Sequence, residues 1–286
     1  MFRGNWVNRS IKRVILILVV LSVGGIIYYL YDQAQEQDQA QVSSEPEATS
    51  TGEAEIEAPV EDEVSFDIKM CESGTIITEE QLNRKDIAVY FQSDPIEGEV
   101  LERISGRSYV DNPNISLADL RYLKVLHYNF EHQTQVGELI VNAALADEYK
   151  DIFRELFEAE YEINSMHLID DYWTGDAAES DTASIEANNT SAFCYRVITG
   201  GESLSNHAYG CAIDINPQQN PYLSYFTGVP VWSHPNADQY IDRTTGYGHV
   251  ITHEDVCYQI FTAHGFTWGG DWSNPKDYQH FEKTLE

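Results

Sequence analysis

The ten residues from Ser205 to Asp214 constrain the fold more than any other part of the chain. They place a histidine and a carboxylate seven positions apart, with a glycine between them. On one continuous strand, this odd offset would send His207 and Asp214 to opposite faces of a sheet. A turn at Gly210, where a positive φ costs a glycine little, would let both side chains point to one place. We therefore predict a turn at Gly210, followed by a strand that carries Asp214.

The residues after this turn alternate in polarity. Ala212, Asp214 and Asn216 occupy one set of positions, and Ile213 and Ile215 occupy the other. This alternation is the period of a half-buried strand. We expect Asp214 on the polar face of the strand, held in place by the two isoleucines packed behind it.

A second cluster of titratable residues lies near the C-terminus, in residues 277–282. It contains Asp277 and His280. Joined to the first cluster, it provides two histidines and one aspartate as candidate ligands, together with one spare carboxylate. Three protein ligands and an open fourth position describe a catalytic zinc site.

These two clusters resemble the M15 peptidases, the zinc D,D-carboxypeptidases and endopeptidases of peptidoglycan, which share a core with Hedgehog signalling domains. Residues 205–214 match the family pattern S-x-H-x-x-G-x-A-x-D, and residues 277–280 match D/E-x-x-H. The residues around them, 213–217 and 265–272, look like one branch of the M15 peptidases in particular, subfamily C. The resemblance covers roughly residues 100–284 and implies a Hedgehog/DD-peptidase-like domain in which a small antiparallel sheet carries the zinc site.

The resemblance also implies a role for each polar residue of the clusters. His207, Asp214 and His280 would bind Zn²⁺. Two neutral imidazoles and one carboxylate leave the ion a net charge of +1, so it can bring the pKa of bound water toward about 7. Asp277 lies three residues before His280 and would accept the proton of the attacking water, then donate it to the leaving amine.

Further residues are candidates for contact with the substrate. Arg196 could brace the oxyanion or clamp a substrate carboxylate in bidentate fashion, as a basic residue upstream of the motif does in the family. Ser205 matches the family serine and would donate or accept a hydrogen bond near the site. The aromatic residues Tyr209, Trp268 and Trp272 could form walls of the groove.

The N-terminal residues 1–31 combine a basic tail with an apolar segment. The uncharged run 14–31 has eighteen residues, just long enough to span a bilayer as a helix. Four basic residues precede it and acidic residues follow, which predicts a single-pass anchor with a cytoplasmic N-terminus and the rest of the chain outside the cell membrane. The alternative is a cleaved signal peptide, although residues 28–31 lack the small residues of a cleavage site.

Acidic residues dominate the next segment and the chain as a whole. Residues 32–68 contain twelve Asp or Glu and no Lys or Arg, a composition that predicts a disordered linker before a domain at 69–286. The formal net charge of the chain is −30. Such a chain lacks the basic surface that phosphates require, which excludes nucleic acid as an expected partner.

Three segments have helical signals. Ser116 and Asp119 form a capping box that leads into Leu117, Leu120 and Leu123. Between 145 and 161, apolar residues recur every three or four positions, which predicts a core helix of about five turns. A second capping box at Thr252 and Asp255 predicts a helix that ends at Gly265.

The remaining signals predict strands and one long loop. We expect strands at 136–141, stopped by Asn142, and at 166–169, and a loop across the acidic and polar residues 170–192. Strands and helices are mixed rather than strictly alternating. The predicted class is therefore α+β.

The four cysteines are Cys71, Cys194, Cys211 and Cys257. An exported domain could pair them. A domain of this size has a full core without such links, and free buried cysteine is common, so we expect them to be unpaired.

Three functions agree with these observations. The first is a membrane-anchored zinc peptidase that acts on the peptide stems of bacterial peptidoglycan, either as a D-Ala-D-Ala carboxypeptidase or as an L-Ala-D-Glu or cross-bridge endopeptidase. The second is a wall-binding or signalling module that keeps the fold without turnover. The third is a zinc hydrolase with another substrate. The presence of Asp277 favours an enzyme over the binding module.

Overall fold

The computed structural model describes residues 66–198, 201–232 and 234–285. The predicted membrane anchor, and all of the predicted linker before Phe66, lie outside these residues. Across the described ranges, no helix has both the length and the apolar character that a membrane span needs. The first described residues are packed into the domain: Phe66 stacks on Tyr90, and Ile68 is fully buried.

A three-stranded antiparallel sheet forms the N-terminal half. Its order is β1 (Gln92–Asp94), β2 (Leu120–Tyr128) and β3 (Thr134–Asn142). β2 and β3 form a hairpin that is paired along its whole length, from Leu120 opposite Asn142 to Tyr128 opposite Thr134. The predicted strand at 136–141 is confirmed. It stops at Asn142 because this side chain turns to accept a hydrogen bond from the backbone N–H of Ala144.

The predicted core helix is also confirmed. A 3-10 turn at Ala143–Leu145 leads into α2 (Ala146–Glu158), whose apolar stripe is buried against β2. The helix stops short of the predicted residue 161. Glu160 adopts a φ of +54°, and the N–H of Tyr161 bonds back to the carbonyl of Leu156, which closes the last turn.

A second antiparallel sheet carries the two sequence clusters. Its order is β4 (Ala212–Asp214), β8 (His280–Glu282) and β6 (Thr267–Trp268). Beside it, β5 (Tyr222–Leu223) pairs with β7 (Lys276–Asp277). The inner face of this sheet is apolar, since Ile213 and Phe281 are fully buried in the same core as α2. The class is α+β, as expected.

The described ranges contain three further α-helices: α1 (Gly98–Ile104), α3 (Ala177–Glu186) and α4 (Val256–Ala263). The helix predicted after Thr252 is confirmed as α4, although the side chain that caps it is that of Asp255, which accepts from the N–H of Cys257. The helix ends at Ala263, His264 caps it, and Gly265 comes next with a φ of +80°.

Three sequence predictions are wrong. The capping box of Ser116 and Asp119 exists, but it holds only a 3-10 turn at Leu117–Asp119, and the leucines beyond it belong to β2. Residues 166–169 form one isolated bridge rather than a strand. The expected loop 170–192 contains α3, which Asp176 caps by accepting from two backbone N–H groups.

The four cysteines are unpaired, as expected. Cys194, Cys211 and Cys257 are buried, and Cys71 is half-buried.

Candidate metal centre

The turn that carries His207 depends on Gly210. The 3-10 turn Asn206–Tyr209 begins at Ser205, whose side chain accepts a hydrogen bond from the N–H of His207. It ends at Gly210 with a φ of +65°, which confirms the predicted turn. A Cβ at Gly210 would lie only 2.5 Å from the backbone nitrogen of Asn142, so the end of β3 leaves no room for a side chain there.

The pairing of β4 with β8 brings Asp214 to His280. The two residues stand directly opposite each other in the antiparallel register. Directly paired residues project their side chains to the same face of a sheet. The neighbouring pair, Ile213 and Phe281, therefore projects to the other face and anchors both strands in the core.

Three ligand atoms converge where the turn meets this sheet. Nε2 of His207 lies 3.2 Å from Nδ1 of His280, and Oδ1 of Asp214 lies 3.4 Å from the former and 3.2 Å from the latter. A tetrahedral zinc ion with bonds of about 2.0–2.1 Å places its ligand atoms about 3.3–3.4 Å apart. The three atoms thus have the spacing of three corners of such a tetrahedron.

Hydrogen bonds on the far side of each ring decide where its lone pair points. Nδ1 of His207 lies 2.5 Å from the carbonyl oxygen of Ala192, which can only accept, so Nδ1 donates and Nε2 presents its lone pair. Nε2 of His280 likewise faces Oε2 of Glu282 at 2.9 Å, which leaves Nδ1 of the neutral ring as an acceptor. When both rings are neutral, their two lone pairs and the carboxylate of Asp214 therefore point to one place.

This donor set is buried and needs a positive charge. All three side chains are nearly inaccessible, with exposed fractions of 2% for Asp214, 3% for His207 and 6% for His280. Burial alone would lower the pKa of His280, but its hydrogen bonds to Asp214 and Glu282 raise it to about 10. In the metal-free protein a proton on His280 thus supplies the charge that a metal ion would otherwise bring. The residues fit a zinc ion.

A second cluster of possible ligands, Glu138, His167 and Asp171, is of a different kind. Arg103 bonds both carboxylate oxygens of Glu138, at 2.6 and 2.9 Å, and also lies 2.6 Å from Asp171. A guanidinium already supplies the cation there. Within the described residues, the two histidines and Asp214 are the ligand cluster that no Arg or Lys neutralises through a salt bridge.

His207, Asp214 and His280 line a cavity with a volume of about 500 Å³, and Asp277 lies on its wall. Its Oδ1 is buried and has no hydrogen-bond partner. Burial raises the pKa of Asp277 to about 7, and the negative charge of Asp214 adds to the effect. The backbone at this point packs against Gly269, where a Cβ would meet the carbonyl oxygen of Asp277 at 2.6 Å.

Arg196 reaches the same cavity in an ion pair that the sequence analysis missed. Its Nη2 lies 2.8 Å from Oδ2 of Asp181 on α3, and the two side chains are only 10% and 9% exposed. Its Nε is buried and has no acceptor. One sequence signal could have identified Asp181. Asp176 and Glu179 have the spacing of a helix start, which predicts a helix through Asp181 with one face packed against the domain.

The other expected contacts are divided. Ser205 and Trp272 line the cavity, and the Trp272 ring lies 5.3 Å from the ring of His280. Trp268 and Tyr209 are not among the lining residues; Trp268 packs in the core and donates from Nε1 to the carbonyl of Tyr278. The lining also includes Phe226, which is 74% exposed and which no sequence signal had singled out.

Comparison with protein-family models adds one finding. Residues 199–283 match an M15 peptidase family described as D-alanyl-D-alanine carboxypeptidase. The matched segment contains the three converging ligands and Asp277, and it begins three residues after Arg196. No curated protein and no solved structure matches the chain.

Proposed function

We propose that the protein is a zinc-dependent peptidase that hydrolyses the peptide stems of bacterial peptidoglycan. The match of residues 199–283 to an M15 peptidase family described as D-alanyl-D-alanine carboxypeptidase supports this proposal. One observation carries the proposal: two histidine lone pairs and the Asp214 carboxylate meet at the spacing of zinc ligands, beside the unpaired oxygen of Asp277. The unpaired acid favours an enzyme over a binding module, because hydrolysis needs a proton carrier beside the metal.

His207, Asp214 and His280 would hold the metal. When bound, zinc supplies a Lewis acid that makes water acidic enough to lose a proton near neutral pH. The carbonyl of Ala192 and the carboxylate of Glu282 fix the two rings in the tautomers that present lone pairs. Glu282 is itself held by the amide of Asn206, which donates at 2.7 Å.

Asp277 would move the proton. Its free Oδ1 accepts the proton of the attacking water and later donates it to the amine of the cleaved bond. In the metal-free protein, burial raises the pKa of Asp277 to about 7, so this carboxyl lies in the range in which it can be both base and acid near neutral pH. Arg196 would stabilise the oxyanion, since its buried Nε–H has no acceptor in the protein. Ser205 holds the turn of His207 and borders the substrate.

The proposal includes the location of the enzyme. We infer a single-pass anchor in residues 14–31, with the N-terminus in the cytoplasm and the peptidase domain outside the membrane, from the apolar run and the basic residues before it. Peptidoglycan lies on that side. The location and the proposed substrate therefore agree, although they come from different parts of the chain.

The test is digestion of purified peptidoglycan by the full-length protein, with and without a chelator, followed by mass spectrometry of the products. We expect chelator-sensitive cleavage. Loss of one D-Ala would identify a carboxypeptidase, and divided stems would identify an endopeptidase. Unchanged peptidoglycan, in a protein that contains stoichiometric zinc, would refute the proposal in favour of a binding module.

Two variants separate the ligands from the proton carrier. His207→Ala should lose zinc and activity together. Asp277→Asn should keep zinc and lose at least about a hundredfold in kcat, the usual contribution of a general acid-base. Near-normal turnover by Asp277→Asn with zinc bound would remove Asp277 from its role.

A further inference from the structure

The ion pair of Arg196 and Asp181 determines the charge that a substrate meets. Among the described residues that line the cavity, Arg196 is the single Arg or Lys. Its guanidinium is not free, because Oδ2 of Asp181 lies 2.8 Å from Nη2 and the carbonyl of Val197 accepts from Nη1 at 3.3 Å. Both groups are about nine-tenths buried. Water therefore competes poorly with this contact.

The rest of the cavity is acidic. It contains four carboxylates, those of Asp181, Asp214, Asp277 and Glu282. When all four are ionised and the imidazoles are neutral, one guanidinium leaves three negative charges in excess, and a bound divalent ion reduces the excess to one. The metal-bound cavity is therefore negative while Asp277 is ionised to act as a base. Such a cavity repels an anion and tolerates neutral or cationic groups.

A carboxypeptidase has the opposite requirement. Its substrate has a free carboxylate one residue beyond the bond that is cut, and the usual partner for a carboxylate is a free bidentate guanidinium. The described lining offers no unpaired cation for this purpose.

We propose that Asp181 is a specificity-determining residue, which neutralises Arg196 so that the site cleaves peptide bonds whose flanking groups are amide-linked and discriminates against a free carboxylate beside the bond. The inference depends on the proposed peptidase function and selects, among the bonds of the stem peptides, those whose adjoining residue has no free carboxylate beside the bond. Two roles were expected for Arg196. The inference retains the contact of its Nε with the oxyanion and rules out the bidentate clamp on a substrate carboxylate.

The simplest alternative is a structural one, in which Asp181 does no more than balance a buried arginine. The two roles differ in what a neutral residue at 181 would change. A structural role predicts that Asp181→Asn slows all substrates alike. A specificity role predicts that the freed Arg196 binds carboxylates, so acid substrates improve relative to amides.

The experiment compares two stem pentapeptides that end in D-Ala-D-Ala and differ only in a free carboxylate or a carboxamide at the C-terminus. We expect the wild-type protein to cleave the terminal bond of the amide with a kcat/KM at least about tenfold above that of the acid, the order expected for one like charge in a partly buried site. Cleavage of both peptides at an internal bond with no free carboxylate beside it, with the terminal bond of the acid intact, would equally support the inference. Cleavage beside the free α-carboxylate of a γ-linked D-Glu would overturn it.

Asp181→Asn should reduce the amide-to-acid ratio at least about fivefold. Glu179→Gln is the matched control, because it removes a carboxylate from the exposed side of the same helix, and its ratio should equal that of the wild type. Should Asp181→Asn fail to fold, the wild-type ratio still tests the selectivity itself, because a ratio of one or less overturns the inference. Equal or faster cleavage of the acid by the wild type would overturn the inference and leave the peptidase function intact. No cleavage of either peptide or of peptidoglycan by the zinc-bound protein would overturn both.

Discussion

Gly210 is the residue at which the metal centre depends most directly on backbone geometry. It has a φ of +65°, and a Cβ there would lie 2.5 Å from the nitrogen of Asn142 and 2.8 Å from the carbonyl carbon of Val141. Both are backbone atoms at the end of β3, held in place by the hydrogen bond from Asn142 N–H to the carbonyl of Gly210. In Gly210→Ala, either this strand end or the turn of His207 must move.

Two costs add in this variant. A left-handed backbone costs an alanine about 1–2 kcal/mol, and forcing a methyl group against fixed atoms adds about 1–3 kcal/mol. Gly106→Ala is the matched control. Gly106 has a similar φ of +74°, but a Cβ there would meet nothing within 4 Å, so this variant should lose about 1–2 kcal/mol only.

Urea unfolding of both variants without metal would measure these losses, and zinc content after dialysis would report on the site. We expect Gly210→Ala to lose about 2–5 kcal/mol and to bind zinc at least about tenfold more weakly, because His207 leaves its place opposite Asp214 and His280. Equal losses in the two variants, with zinc binding unchanged in Gly210→Ala, would refute the conclusion that this turn places the ligand.

Three other perturbations have definite expected results. In the metal-free protein the pKa of His280 is raised to about 10, so its contribution to stability is complete below pH 6.5 and is lost as pH rises through about 10. Zinc must displace the proton of His280. Competition titrations should therefore show a zinc affinity that rises about tenfold per pH unit between pH 6.5 and about 10. Glu138→Gln should lower the free energy of unfolding by about 3 kcal/mol without changing activity, because it breaks a buried pair with Arg103, whereas Asp94→Asn in an exposed pair should cost less than about 1 kcal/mol. Phe226→Ala should leave the melting temperature unchanged and raise KM, since this side chain is exposed and lines the cavity; an unchanged KM would remove it from the substrate contact.

The catalytic cluster could be predicted because its information is local. The turn at Gly210 and the strand after it follow from the φ that a glycine allows and from alternation over five residues. The register of β4 with β8 was not predicted as such. However, if Asp214 and His280 bind one ion, their strands must lie side by side with these two residues close together, and the direct pairing of Asp214 with His280 meets that requirement.

β2 could not be predicted because its pattern is ambiguous. Leu117, Leu120 and Leu123 follow a capping box at helical spacing, yet the residues from Val125 to Tyr128 are buried on both faces. A strand that is covered on both sides shows no alternation. Its pairing with β1 on one edge and β3 on the other decides the outcome, and that information is distributed across the chain.

α3 was missed for a reason connected with function. Its buried face consists of Ser180, Asp181 and Ser184, so it lacks the apolar stripe by which an amphipathic helix is recognised. This polar face is stabilised by specific partners. Ser180 bonds to the carbonyl of Asp176, and Asp181 pairs with Arg196. A helix whose buried positions are polar and hydrogen-bonded has the composition of a loop.

The two carboxylate clusters show why a metal can be inferred from side chains alone. In a chain with a formal charge of −30, a buried carboxylate needs a compensating cation. Around Glu138 that cation is Arg103, which is covalently part of the protein and cannot be exchanged. Around Asp214 the compensating charge in the metal-free state is a proton on His280, which faces the Asp214 carboxylate from Nδ1. Once this proton is lost, both imidazoles present lone pairs to the same place. A proton can be replaced. The exchangeable charge, rather than the number of acidic residues, is what marks the second arrangement as a binding site for a metal ion.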